Sequence, residues 1–272
     1  MSTDATPDST LKTSPPMNPS VAIQFLLLLD AGVRLLIWSG AAAITLFIAA
    51  RYDLWTWHAW SDLHSFAAAW ALSQRLGHFV MIFNAAYLLE LAALRLLIPR
   101  PKPGRYSLAG KRPDVNLLCS CLLAVLTKAR YQAPFPAFLV PMLANVAPFR
   151  WLLGATLGPR SGSPFFVEPN ILDPFNVTIG RNVTIGFGSI IAGHLQERDA
   201  VLIAPTVIED DVLIGANVGI PGNVHIKRGA VVRGFSSLLP GTVIGENEYW
   251  AGIPARRVRE LKDAAAAPAA TE

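Results

Sequence analysis

Cysteine and histidine are scarce in this chain, whose 272 residues include two cysteines and five histidines. Cys119 and Cys121 lie two positions apart in an apolar stretch, which reads as a pair of buried thiols, with metal binding or lipidation as the lesser alternatives. His58, His64 and His78 fall in an apolar N-terminal region, far in sequence from His194 and His225, so three histidines cannot gather around one zinc ion. No metal is expected. Charge is sparse as well: charged residues make up 15% of the chain against 52% hydrophobic, with a mean hydropathy of +0.40. That is more apolar than a soluble enzyme of this length should be, and it predicts a membrane segment. No nucleic-acid motif accompanies the net charge of +4 and pI of 9.3, and the cations cluster beside apolar runs, which argues against nucleic acid as a partner. A cleaved signal peptide is disfavoured, because the first apolar run starts late and lacks a basic flank.

What the chain has in abundance is apolar length. Leu35–Ala50 is uncharged, and Val21–Leu29 extends it if Asp30 and Arg34, one helical turn apart, pair with each other. Phe79–Ile98 is long enough to cross ~30 Å of hydrocarbon at ~1.5 Å per residue, although it carries Asn84, Glu90 and Arg95. Between them, Arg51–Gly77 holds Tyr52, Trp55, Trp57, Trp60 and Trp70, rings suited to the headgroup zone. The pattern predicts a transmembrane helical hairpin over residues 21–98, after a disordered Ser/Thr/Pro-rich N-terminus of 20 residues. Arg100, Lys102, Arg105, Lys111 and Arg112 follow the hairpin, which puts the C-terminal part on the cytoplasmic face and the basic cluster against membrane lipids. Residues 99–160 read as a basic linker with interfacial helices, since Pro134, Pro136, Pro141 and Pro148 break a third span.

A second pattern fills the C-terminal third. From Ile208 to Ala255 the chain divides into eight six-residue units opening at Ile208, Ile214, Ile220, Ile226, Val232, Leu238, Ile244 and Trp250. Such repeats cannot bury an apolar face alone and are stable only when stacked. The spacing predicts a left-handed parallel β-helix over residues 161–261, with a disordered tail at 262–272. The fold class is thus mainly β, a β-helix preceded by a two-helix transmembrane hairpin. Gly215, Gly222, Gly229, Gly241 and Gly245, together with Asp210, Asp211, Asn217, Asn223 and Asn247, suit corners with positive φ. The same phase runs upstream through Val167, Asp173, Ile179, Ile185 and Ile191, with Asp173 a poor core residue. It breaks between Ile191 and Ile208, seventeen residues and one short of three units, so part of that stretch leaves the wall as a loop carrying Gly193, His194 and Glu197.

Val177-Thr178-Ile179-Gly180, the Gly193-His194 loop and Trp250-Ala251-Gly252-Ile253-Pro254-Ala255-Arg256-Arg257-Val258 together resemble the hexapeptide-repeat O-acetyltransferases, the galactoside and maltose acetyltransferase group in particular. The resemblance covers about a third of the chain and leaves out the hairpin. It implies a homotrimer in which acetyl-CoA or another acyl-CoA lies along the coil between two subunits, and direct acyl transfer to a hydroxyl without an acyl-enzyme. Neutral imidazole has the proton affinity this base needs near pH 7, and His194 is the candidate. A backbone amide at the loop would hold the oxyanion. Asp173 or Glu197 would orient the ring, a choice that spacing leaves open. Carried over by position, Gly215, Ala216, Ser236 and Ser237 would flank pantetheine, Ala251, Gly252 and Pro254 would approach adenine, and Arg256 or Arg257 would meet phosphates.

The expected function is a membrane-anchored O-acyltransferase acting on a saccharide, glycolipid or other membrane-linked acceptor. N-acylation of an amino sugar would use the same base. The alternative class is a noncatalytic trimeric scaffold, because membrane helices followed by a hexapeptide coil also resemble the end of some membrane-bound nonribosomal polymer synthetases.

Overall fold

The computed structural model describes residues 19–52, 64–107, 114–129, 147–152, 154, 156–157 and 170–260. The expectations for the N-terminal 18 residues, Trp55, Trp57, Trp60, Lys111, Arg112, Val167 and the tail after residue 260 fall outside that range.

Two long helices open the described chain, α1 (Pro19–Arg51) and α2 (Phe66–Leu97). α2 begins well before Phe79, because Ser65 caps it by accepting from the Ala68 amide at 3.1 Å. The connection expected over Arg51–Gly77 is correspondingly shorter, and Trp70 stands on α2. Asp30 accepts from Arg34 at 2.8 Å, which lets both stay on α1. Thr45 and Asn84, both fully buried, bond back to their own helices, to the carbonyls of Ala41 at 2.6 Å and Val80 at 2.8 Å. Ile37, Ala41, Phe83, Tyr87 and Leu91 pack between the two helices. α3 (Val115–Ala129) joins this core through Leu126 and Ala129, whose carbonyl accepts from the Tyr87 hydroxyl at 2.9 Å. Cys119 on α3 is a buried free thiol and Cys121 a half-buried one.

Leu27–Arg51 and Phe66–Leu97 have mean hydropathies of 1.9 and 1.7 over their most apolar windows, and are long enough to cross a membrane. Only 22% and 39% of those windows is buried within the protein. Leu28, Leu35, Phe47 and Leu89 therefore stand exposed on the helices' outer faces.

Most of the remaining described chain is a parallel β-helix with three faces. One face stacks Thr184–Ile185, Leu213–Ile214, Val231–Val232 and Glu248–Gly252. The second stacks Asn170–Ile171, Ile190–Ile191 and Gly219–Ile220, and Ser237 bridges to Gly219. The third stacks Thr156–Leu157, Val177–Ile179, Thr206–Ile208, His225–Ile226 and Val243–Ile244. Thr156–Leu157 lies ahead of residue 161, so the wall starts earlier than its repeats suggest.

Side chains alternate along each short strand. The leading residues point inward, and so do the fifth-position residues Val212, Val218, Val224 and Ala230, all buried at or below 1% exposure. Positive φ falls at the fourth position of the first seven of the eight units, Asp211, Asn217, Asn223, Gly229, Phe235, Gly241 and Asn247. The second-position glycines have a different role from the one their composition suggested. A Cβ on Gly215 would stand 2.2 Å from the Gly234 amide nitrogen of the next coil, so close approach of backbones excludes a side chain there. Phe235 is the misfit in its column, an aromatic residue at φ 58° with 71% exposure.

The phase before Ile179 differs from the six-residue expectation. Ile171, fully buried, stacks beneath Ile191, so Ile171 to Ile179 spans eight positions. The two extra residues let Pro174–Asn176 form a 3-10 turn with Asp173 at its N-cap, outside the core column.

Candidate active site

Successive coils repeat every 18 residues, as from Ile214 to Val232, but Ile185 and its partner Ile214 are 29 apart. Eleven residues have therefore been added to one unit between Ile191 and Ile208. They form an antiparallel hairpin of His194–Gln196 with Ala200–Ile203 at the corner between the second and third faces. Gly104–Ser107, in the region expected to hold only linker and interfacial helices, is a third strand beside Ala200–Ile203. His194, Ile203 and Gly104 stand in one row across this sheet.

His194 Nδ1 faces the Asp173 carboxylate, and the same Oδ2 accepts from the Gly193 amide at 3.0 Å. Asp173 is 2% exposed, and its carboxylate turns toward the hairpin instead of capping its own turn. A carboxylate only accepts, so Nδ1 carries the proton and Nε2 of the neutral ring keeps its lone pair. The His194 side chain is 34% exposed, open to a substrate on one side. Its pKa is raised above the ordinary 6.5: the Asp173 hydrogen bond is the main cause, burial opposes it, and the carboxylate charge adds to it. Tight backbone approaches set the ring's place. A Cβ on Gly193 would lie 2.3 Å from the Asn176 Cβ, and one on Gly222 would lie 2.8 Å from the His194 amide nitrogen. Because the Gly193 amide is engaged with Asp173, an oxyanion would need a different amide.

Glu197 stands apart from the imidazole. Its Oε2 accepts from Arg105 Nε at 2.7 Å, and Asp199 accepts from Arg105 Nη2 at 2.9 Å. These hydrogen bonds and charges, Glu197 first, raise the guanidinium's pKa. Arg105 thereby ties the hairpin's turn to the strand that follows α2. Exposed ion pairs contribute little to global stability. Arg105→Gln is accordingly expected to leave the melting temperature unmoved, to speed amide hydrogen exchange in residues 194–203, and to lower kcat/KM several-fold. Unchanged exchange would remove the clamp from the account.

The residues proposed for a donor fall along one corner of the coil, between the first and second faces. Gly215 and Ala216 sit beside Gly234, whose chain reaches Ser236 and Ser237. Glu248–Gly252 and Ala255–Glu260 form the closing hairpin, with Ile253 and Pro254 at its exposed turn. Ser236 differs from its expected role: it is 2% exposed and its hydroxyl accepts from the Gly252 amide at 3.2 Å, so it serves the wall. The Ser237 amide donates to the Gly252 carbonyl at 3.0 Å, and Ser237 in turn accepts from Ala255 at 2.8 Å. Arg257 is paired with Glu248 at 3.0 Å, a carboxyl that also accepts from Trp250 at 2.9 Å and Gly245 at 2.8 Å. Burial works against the charge of Glu248, but those hydrogen bonds and Arg257 together hold its pKa below the usual carboxylate value. Arg256, opposite Ala251, is exposed.

Within one chain this corner and His194 do not meet. They occupy opposite edges of the second face, with Val218–Ile220 between them. One pair was missed in the sequence: His225 Nε2 and Glu209 Oε1 lie 2.6 Å apart on the third face, so His225 is on a flat wall rather than at a corner. The outward sixth position of its unit was the available signal. Among the described residues, no three His, Cys, Asp or Glu side chains converge as a metal site would require.

Residues 205–240 match the family described as bacterial transferase hexapeptide (six repeats). The chain is 36% identical over 90 residues to the 2,3,4,5-tetrahydropyridine-2,6-dicarboxylate N-acetyltransferase of Staphylococcus aureus strain RF122, covering 32% of this chain and 34% of that protein. The strain MRSA252 protein of the same name is 35% identical over 86 residues, with the same 32% and 34% coverage. The chain thus spans about a third of the length of the curated relatives it matches. Among solved structures, a galactoside acetyltransferase in complex with coenzyme A aligns with a TM-score of 0.38 and 19% identity, over 53% of this chain and 81% of that one. A maltose O-acetyltransferase from Clostridium difficile 630 aligns with a TM-score of 0.39 and 15% identity, over 53% and 87%.

Proposed function

We propose that this chain is an acyl-CoA-dependent O-acyltransferase, with acetyl-CoA as its donor, anchored at the cytoplasmic membrane face and acting on a membrane-linked hydroxyl. The observation that carries this reading is the buried Asp173 carboxylate holding Nδ1 of a half-exposed His194 on a hairpin thrown out from the wall. That arrangement leaves Nε2 as a base for the acceptor hydroxyl as it attacks the thioester, and the proton passes on to the departing thiolate of coenzyme A. The hexapeptide match and the N-acetyltransferase relatives support acyl transfer as the chemistry.

The donor lies between copies of a left-handed trimer, with Gly215, Ala216, Ser237, Ala251, Gly252 and Pro254 along its arm and Arg256 at its phosphates. The separation of that corner from His194 within one chain supports a neighbour's corner completing the site. Two apolar helices with exposed outer faces support membrane anchoring, since contiguous apolar surface of that extent needs cover.

A second reading, N-acylation, is favoured by the relatives' being N-acetyltransferases. Incubation of the full chain with labelled acetyl-CoA and membrane lipids distinguishes the two. An ester product releases its label to hydroxylamine and an amide keeps it. No transfer to any acceptor, with no stabilisation by coenzyme A, would return the chain to the scaffold class. The base also has a pH signature. Because its pKa is raised, kcat/KM climbs with pH through an apparent value above 6.5, and Asp173→Asn moves that rise to lower pH while reducing the plateau.

A further inference from the structure

Two guanidinium groups meet at the seam where the helical hairpin meets the segment leading into the β-helix. Arg95 is in the last turn of α2, and Arg100 lies three residues past the end of that helix; Gly154 follows α4 (Ala147–Leu152). Both arginines reach Gly154. The Arg100 Nη2 donates to the Gly154 carbonyl at 3.1 Å, and a Cβ on Gly154 would stand 2.6 Å from the Arg95 Nε and 3.0 Å from its Nη2. The Gly154 amide closes the end of α4 by donating to the Trp151 carbonyl at 2.9 Å, which fixes the carbonyl that Arg100 meets. Arg95 and Arg100 are near enough to act on each other's charge.

Like charges held side by side are unfavourable unless an anion joins them, and here Arg100 is exposed and Arg95 half-buried, open to an anion from outside. Among the described residues, no carboxylate forms an ion pair with Arg95 or Arg100, and the buried Arg95 Nε has no hydrogen-bond acceptor. Glu90, on the same helix, is turned away, its carboxyl against Gly40 of α1. The sequence offers little else: between Glu90 and Glu168 it holds ten Lys and Arg residues and one acid, Asp114. The position relative to His194 is also constrained. Gly104 is two strand spacings from His194, about 10 Å, and Arg100 is four residues from Gly104, at most about 14 Å of chain.

We infer that Arg95 and Arg100 form a binding site for an anionic lipid phosphate, the phosphate or pyrophosphate that ties the acyl acceptor to the membrane. This rests on the acyltransferase reading for its role in catalysis, and on the seam alone for the binding. Planar guanidinium groups match phosphate oxygens in pairs, which a diffuse basic surface does not. The site holds the lipid end while the acceptor's hydroxyl reaches toward the hairpin.

The test uses the full chain in detergent, with dioctanoyl phosphatidic acid, dioctanoyl phosphatidylcholine and inorganic phosphate as probes. Phosphatidic acid is expected to bind at least tenfold tighter than either of the others. Arg100→Gln and Arg95→Gln each weaken it at least tenfold, Lys128→Gln on α3 leaves it unchanged, and Arg100→Gln raises KM for a lipid acceptor with kcat little altered. Equal affinity for inorganic phosphate would make this a free-phosphate site and overturn the lipid assignment. Equal losses in Lys128→Gln, or none in the arginine variants, would overturn the site itself. Coenzyme A stabilisation, followed in parallel, is unaffected by Arg100→Gln. Its absence from the wild type, with the lipid contrasts intact, would defeat the acyltransferase reading and the acceptor role while leaving the lipid site standing.

Discussion

Replacement of His194 by alanine is expected to lower kcat for acyl transfer by about 10²–10⁴-fold, the usual range for a positioned general base. The substitution should leave coenzyme A binding and melting temperature close to wild type. The physical reason is that the imidazole is half-exposed on a hairpin outside the stacked core, so its removal opens no cavity in the wall. It does leave the buried Asp173 with the Gly193 amide as its remaining bond, and that carboxylate then has room for water where the ring was. Transfer assays at saturating donor and acceptor, paired with a coenzyme A titration, separate loss of chemistry from loss of binding. A variant that transfers at the wild-type rate would remove His194 from the mechanism.

The largest expected effect on stability is at Gly215. A valine there would place its Cβ 2.2 Å from the Gly234 nitrogen and 2.6 Å from the Gly234 Cα, both backbone atoms of the next coil. Neither is the end of a flexible side chain, so the coils must separate or the corner must deform. We expect a loss of more than about 3 kcal/mol, beyond ordinary overpacking because backbone is the obstacle. Gly241→Asn is the matched comparison. Gly241 has φ 78° with its nearest neighbour, the side-chain Nδ2 of Asn223, 3.7 Å from an added Cβ, and asparagine already occupies equivalent positive-φ corners at 217, 223 and 247. That change should cost less than about 1 kcal/mol. Thermal melts of the two variants in the same detergent report the contrast; equal losses would mean that the second and fourth positions of the repeat are not distinguished by stacking.

The core columns were legible in the sequence because one buried aliphatic residue recurs at a fixed spacing of six. The second inward column, Val212, Val218, Val224 and Ala230, follows the same spacing two positions ahead of the next leading residue, where valine and alanine give a weaker apolar signal than isoleucine. The hairpin was legible as a break in the count and not in its form: seventeen residues resemble three units less one, whereas strand pairing resolves them into one unit plus eleven. Asp173 was the most informative misfit. A carboxylate in an apolar column argues against the register there, and the register does slip by two residues, which places Asp173 against His194. Between Asp173 and Glu197, spacing had no power to decide; burial of one and the ion pair of the other with Arg105 are tertiary facts. The strand Gly104–Ser107 had no sequence signal at all, being four residues long and paired with a partner almost a hundred positions away.

The central claim is that His194, held by Asp173, acts as the base for acyl transfer. The pH dependence of kcat/KM in wild type and Asp173→Asn tests it most directly. The account predicts a wild-type rise through an apparent pKa above 6.5, and in the variant a lower plateau with the rise displaced to lower pH, because the hydrogen bond and charge that favour imidazolium are gone while burial, which disfavours it, remains. Superimposable profiles for the two proteins, or a rate that falls where the imidazole loses its proton, would contradict it.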